Sequence, residues 1–126
     1  MTVLEVEHRF FPVGQGLFAT GFLKVKGGRL LTYRWVYDCG SNSSTRLVDN
    51  AIEALKIDCN GAKIDLLTLS HFHEDHINGV VKLLNSIGAR TLMLPWAPLW
   101  QRLAIAFDQG FDVSDREMLF FVDPVR

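Results

Sequence analysis

Cysteine is scarce, with two residues, Cys39 and Cys59, in a chain of 126. That excludes a disulfide framework and any Cys-x-x-Cys metal or redox motif. Cys59 reads as a free thiol near a turn, and Cys39 as a small half-buried residue that could also approach a metal. An excess of either charge is missing too. Thirteen Lys and Arg stand against fourteen Asp and Glu, for a net charge of −1, and the cations are scattered. A general basic surface for nucleic acid is therefore excluded, leaving only a local groove. No apolar run reaches the roughly eighteen residues of a membrane span. The N-terminus carries Glu5, Glu7, His8 and Arg9 where a signal peptide would have its apolar stretch. The cytoplasm is the expected location. Repeats and low-complexity tracts are absent.

What is present is apolar content, at 48% of residues, enough for a folded chain. The length suits one small domain over 1–126 with a modest core. Thr2 to Val13, Leu17 to Lys26 and Leu30 to Tyr37 read as strands of an antiparallel meander. Gly14-Gln15-Gly16 is a turn, and Lys26-Gly27-Gly28-Arg29 suits a tight hairpin. After a polar loop, Gly40 to Thr45, the spacing predicts an amphipathic helix over Arg46 to Lys56, with Leu47, Ala51, Ala54 and Leu55 on one face. Asp58 to Lys63 is a linker. Ile64 to Leu69 reads as a buried strand, Ile77 to Ile87 as a helix ended by Gly88, and Arg90 to Leu94 as a strand stopped by Pro95. Pro98 to Phe107 reads as a further helix. Trp96, Trp100 and Phe107 are expected to pack, with a substrate platform as the lesser reading. Ser114-Asp115-Arg116-Glu117 has capping-box spacing before Met118-Leu119-Phe120-Phe121. A short helix is expected there, with a strand as its rival. This apolar tail is expected to pack on something outside the chain.

Chemistry concentrates in one place. Three of the four histidines fall in His71-Phe72-His73-Glu74-Asp75-His76. Zinc and similar borderline ions favour imidazole nitrogen and carboxylate oxygen. Residues two apart in an extended segment point the same way, so His71, His73 and Asp75 can converge, with His76 reaching a second point beside them. The bland alternative is a polar turn whose histidines cap the following helix. Placement at a strand-to-helix junction favours a site.

On these residues the chain resembles the metallo-β-lactamase-fold hydrolase superfamily. Ser70-His71-Phe72-His73-Glu74-Asp75-His76-Ile77-Asn78-Gly79 is close to its signature of histidine, any residue, histidine, any residue, aspartate, histidine and a later glycine. Pro12-Val13-Gly14-Gln15-Gly16 resembles a Val-Gly-Gln-Gly turn of a subgroup that includes the hydrolase-like domain of bacterial DNA-uptake channel proteins. Tyr37-Asp38-Cys39-Gly40-Ser41 resembles the family's Asp-x-Gly element. The agreement runs from about Val6 to Pro95. The histidine motif is highly specific; the other two stretches are supportive.

The resemblance implies an α/β fold, of the αββα type, with this chain as the N-terminal half: an antiparallel meander, then strand–helix–strand, with helices on one face. It implies a dinuclear site for two Zn2+, with Mn2+ or Fe as alternatives. His71 and His73 would bind the first ion, and Asp75 and His76 the second. Asp75 would also orient, or take a proton from, the bridging nucleophile. Asp38 would hold a ligand histidine from behind, though an Asp capping the turn before Gly40 is an equal reading. Glu74 and His8 are not counted as ligands, and Gly14 and Gly16 are expected to serve backbone geometry. Family members draw further ligands from later segments, whereas no histidine follows His76. The chain is thus expected to be a fragment of a longer protein or a natural half-domain, and its last residues fit the former.

The implied activity is metal-dependent hydrolysis. A phosphodiester substrate, hence nuclease-like activity, is favoured by the Val-Gly-Gln-Gly resemblance, with thioester, lactam or lactone hydrolysis as the rival. A non-catalytic or partner-dependent half-domain is the alternative outside enzymes. Expected partners are nucleic acid or another phosphodiester or small-molecule substrate, a second copy or the missing half, and no membrane.

Overall fold

The computed structural model describes residues 1–27 and 31–124. Its elements are β1 (Val3–Phe10), β2 (Gly16–Lys26), β3 (Leu31–Ser41), α1 (Thr45–Cys59), β4 (Ile64–Thr68), α2 (Glu74–Ile77), α3 (Val80–Ser86), β5 (Ala89–Met93), α4 (Leu99–Asp108) and α5 (Arg116–Val122). The strands form one five-stranded sheet in the order β1-β2-β3-β4-β5. β1, β2 and β3 pair antiparallel, as the meander predicts, while β3, β4 and β5 pair parallel. This is the α/β architecture expected of a metallo-β-lactamase half. The hairpin expected at Gly28 and Arg29 lies outside the described residues.

Alternation divides the sheet into two faces. One carries Phe18, Phe22, Val36, Leu67 and Leu69, all buried in the single core cluster. The helices complete that core. α1 contributes Val48, Ala51, Ile52, Leu55 and Cys59, and α3 contributes Val80 and Leu83. The other face carries Leu4, Val6, Phe10, Tyr33 and Tyr37, all exposed.

Several details differ from the sequence reading. The buried stripe of α1 runs through Val48 and Ile52; Leu47 is only half-buried and Ala54 is exposed. The larger aliphatic residues, spaced three or four apart, set the inward face. α1 also continues through Cys59 into the expected linker, and Asn60 closes it in the left-handed region at φ 48°. The helix expected from Ile77 to Ile87 is broken at Asn78-Gly79. There the Asn78 amide pairs with both backbone groups of Ser41, and Gly79 N–H donates to Cys39 O. Trp96, Trp100 and Phe107 do not pack: α4 buries Ala106 and leaves the aromatics outside, Trp96 at 90% exposure. Asp115, not Ser114, precedes α5, with no side-chain cap. The Asp115 carboxylate instead accepts Asp112 N–H at 2.6 Å. The apolar tail finds partners within the chain for three of its residues, while Leu119 stays exposed. Met118, Phe120 and Phe121 are buried, Phe121 lying 6.0 Å from Phe72 and 5.5 Å from Phe111.

Candidate metal centre

The parallel strands β3, β4 and β5 end on the same edge of the sheet, and α/β folds place ligands at such carboxyl ends. His71 follows the end of β4 by three residues. Phe72 is buried, so its neighbours His71 and His73 turn away from the core. The His71 ring centroid lies 4.8 Å from that of His73 and 4.0 Å from that of His76. One donor atom each from His71, Asp75 and His76 lies within 4.8 Å of the others. His76 Nε2 is 3.5 Å from Asp75 Oδ2. The structure thus gathers three of the four expected ligands. His73 lies beside His71, exposed and outside that close group. Glu74 is exposed. His8 stands apart against Trp35, with ring centroids 5.3 Å apart.

Asp38 owes its place to an irregularity in β3. Leu17 pairs with Gly40 but Ala19 pairs with Tyr37. Phe18 therefore faces two residues, Asp38 and Cys39. Such a bulge re-aims side chains and is common beside functional sites. Asp38 adopts φ 56°, a left-handed conformation that Asp tolerates better than most residues. Its carboxylate is fully buried. Oδ1 accepts Ser70 N–H at 2.7 Å, and Oδ2 accepts the Ser70 hydroxyl at 2.6 Å. His76 Nδ1 lies 2.8 Å from the same Oδ2. Asp38 is thus bonded to the histidine loop itself, which goes beyond capping a turn.

The three stretches singled out in the sequence meet here. A Cβ on Gly40 would fall 2.6 Å from Asp75 C and 2.7 Å from His76 N. One on Gly16 would fall 2.3 Å from Gly40 O and 2.6 Å from Asp75 O. Only glycine allows these backbones to touch. Gln15 O accepts Asn42 N–H at 2.7 Å, and the Ser41 hydroxyl donates to Val13 O. The Gly14–Gly16 turn therefore buttresses the histidine loop through backbone packing. Sequence reading missed Ser70 and Asn78. Both lie inside the quoted motif, but their partners stand 32 and 37 residues away.

The electrostatics suit a cation. Burial, and then the neighbouring His76 and His73, hold His71 below the ordinary histidine value, so the neutral, ligating form is favoured. Cys39 is fully buried, and burial first, then Asp38, pushes its thiol far up. It is a packing residue, not a ligand. Imidazole and carboxylate donors fit zinc, manganese or iron. Donors sharing a tetrahedral ion lie roughly 3.4 Å apart, so the 4.8 Å spread of His71, Asp75 and His76 suits either one shared ion or two neighbouring ions.

The sequence profile of the metallo-beta-lactamase superfamily matches residues 32–95, half of the chain, including the whole histidine loop. The chain belongs to the metallo-beta-lactamase superfamily. Its members are metal-dependent hydrolases, and the His/Asp cluster stands where the superfamily match lies. No curated protein sequence matches the chain. Among solved structures, a long form RNase Z from yeast is similar at 19% identity, with 90% of this chain and 17% of that chain covered and a TM-score of 0.45. A Thermotoga maritima protein described as a metallo-beta-lactamase is similar at 17% identity, with coverage of 83% and 51% and a TM-score of 0.43. A subclass B3 metallo-beta-lactamase from a soil metagenome library is similar at 22% identity, with coverage of 66% and 31% and a TM-score of 0.34. The chain thus spans from 17% to 51% of the lengths of these superfamily chains. Among the described residues, no helix is long and apolar enough to cross a membrane.

Proposed function

We propose that this chain carries the first half of a dinuclear metallohydrolase site. The observation that carries the reading is the convergence of His71, Asp75 and His76 at the carboxyl end of β4, backed by buried Asp38. His71 and His73 hold one ion, and Asp75 and His76 the other. Zn2+ suits these donors, with Mn2+ and Fe as alternatives. A cation there supplies Lewis acidity, enough to ionise a water near neutral pH. Around it, Asp75 orients or accepts the proton of the attacking water, while Asp38 fixes the loop. The remaining ligands come from a further segment or a partner chain. The open apolar face of the sheet supports that part of the reading, because it offers such a layer a place to pack.

A phosphodiester is the favoured substrate, resting on the Val13-Gly14-Gln15-Gly16 resemblance. Thioester, lactam or lactone hydrolysis is the rival. Two buried free thiols, Cys39 and Cys59, suit a reducing compartment such as the cytoplasm.

Elemental analysis of untagged protein tests the metal. Wild type should retain zinc, manganese or iron, and His71→Ala/His73→Ala should lose it; phosphodiesterase assays then follow on the loaded protein. Metal absent from wild type would reject a self-sufficient site and leave the partner-dependent half-domain.

A further inference from the structure

Ser70 stands between the buried carboxylate and the first histidine. Its Oγ is 2.6 Å from Asp38 Oδ2 and 2.8 Å from His71 Nδ1. His76 Nδ1 lies 2.8 Å from that same Oδ2. Contacts this short between electronegative atoms each need a proton, because two facing lone pairs repel. An ionised carboxylate supplies none. Ser70 has one hydroxyl proton, and it must lie in the Asp38 contact. The Ser70 oxygen then accepts, so the proton between Oγ and His71 belongs to His71 Nδ1. By the same count, His76 carries its proton on Nδ1. His76 Nε2, left bare by this assignment, faces Asp75 Oδ2 at 3.5 Å, a pair of acceptors that only a shared cation would reconcile.

We propose that Ser70 is a positioning residue that relays Asp38 to His71, so that one buried carboxylate holds both His71 and His76 as Nδ1–H tautomers with Nε2 free for metal. The relay rests on the metal-site reading for its purpose but not for its geometry. His76 is addressed directly, and His71, one residue further along the chain from Ser70, through the hydroxyl. The bulge at Asp38 serves this arrangement by aiming a single carboxylate at both. Outer hydrogen bonds of this kind fix ring orientation and typically change metal affinity by roughly 10- to 100-fold.

The test is 15N NMR of the imidazoles in metal-free protein, above the histidine titration range. Wild type should show His71 and His76 protonated on Nδ1. Ser70→Ala should release His71 to a mixture of tautomers and leave His76 unchanged, and Ser70→Thr should restore His71. Zinc titration should show affinity reduced roughly 10- to 100-fold in Ser70→Ala and recovered in Ser70→Thr. His71 protonated on Nε2 in wild type overturns the relay, as does a His71 tautomer indifferent to Ser70→Ala. The wild-type spectrum decides even if Ser70→Ala fails to fold. Correct tautomers without zinc binding would reject a self-sufficient metal site and leave the relay standing.

Discussion

The two faces of the sheet carry opposite assignments in β1. Toward the helices β1 presents Glu5, Glu7 and Arg9, which pair with Lys26 and Lys24 of β2 and with Asp58 of α1. Away from the helices it presents Leu4, Val6 and Phe10, exposed at 62%, 52% and 74%. Tyr33, Tyr37 and Met93 extend this apolar side across β3 and β5. In its middle, Trp35 lies flat over Gly21, where an added Cβ would fall 1.9 Å from the ring. An amphipathic strand normally turns its apolar side inward. Here that side is open, and the charged side is the one near the helices. The lesson is that alternation identifies two unlike faces, whereas which face is covered depends on how many layers are present. An exposed apolar face of this kind is what the proposed further layer would cover.

Truncation offers the largest contrast. Leu67→Ala, on the fully buried face, should lower unfolding stability by about 2–5 kcal/mol. Val6→Ala, on the open face, should change it by less than about 0.5 kcal/mol. Urea midpoints measure both. A Val6→Ala loss as large as that of Leu67→Ala would mean that the open face is covered in solution.

The glycines give an intermediate test. Gly40→Ala drives a methyl into the backbone of Asp75 and His76, which cannot step aside. Overpacking of this sort should lower stability by roughly 1–3 kcal/mol and displace Asp75 and His76 with it. Gly21→Ala meets only the Trp35 side chain, on the open face, which has room to swing away. Its loss should be smaller, with zinc affinity kept. Equal losses in thermal midpoint and zinc affinity for the two variants would break the distinction.

The smallest effect is a pH dependence confined to the site edge. His71 is held below the ordinary histidine value of 6.5, first by burial and then by His76 and His73. The unfolded chain therefore takes up the proton first as pH falls. The stability from neutral His71 is present above the unfolded value and is lost as pH drops through the lowered folded one. Thermal midpoints of metal-free wild type should fall as pH drops below about 6.5, the ordinary histidine value, with a shallower fall in His71→Gln. Parallel slopes for the two proteins would show that His71 is not the titrating group.

Much of this molecule is written locally. The meander is legible because β-branched and aromatic residues alternate over whole strands. The histidine loop is legible because its donors are close in sequence, where strand and turn geometry alone can bring them together. The inward face of α1 was legible only approximately, since Leu47 and Val48 are both apolar and only packing chooses between them. The helix over Ile77 to Ile87 reads as continuous until Asn78 finds Ser41 across the fold. Trp96 and Trp100 look like core residues by composition, yet exposure is decided by which layers surround them.

By itself the sequence determined the strand order, the superfamily and the clustering of donors in the His71–His76 loop, because these depend on short-range periodicity and spacing. Tertiary structure alone decided that Asp38 swings inward on a bulge, that Ser70 joins it to His71, and that Gly16 and Gly40 clear space for Asp75. Each is a contact between segments distant in the chain, and no local pattern encodes which backbone will pass within reach of another.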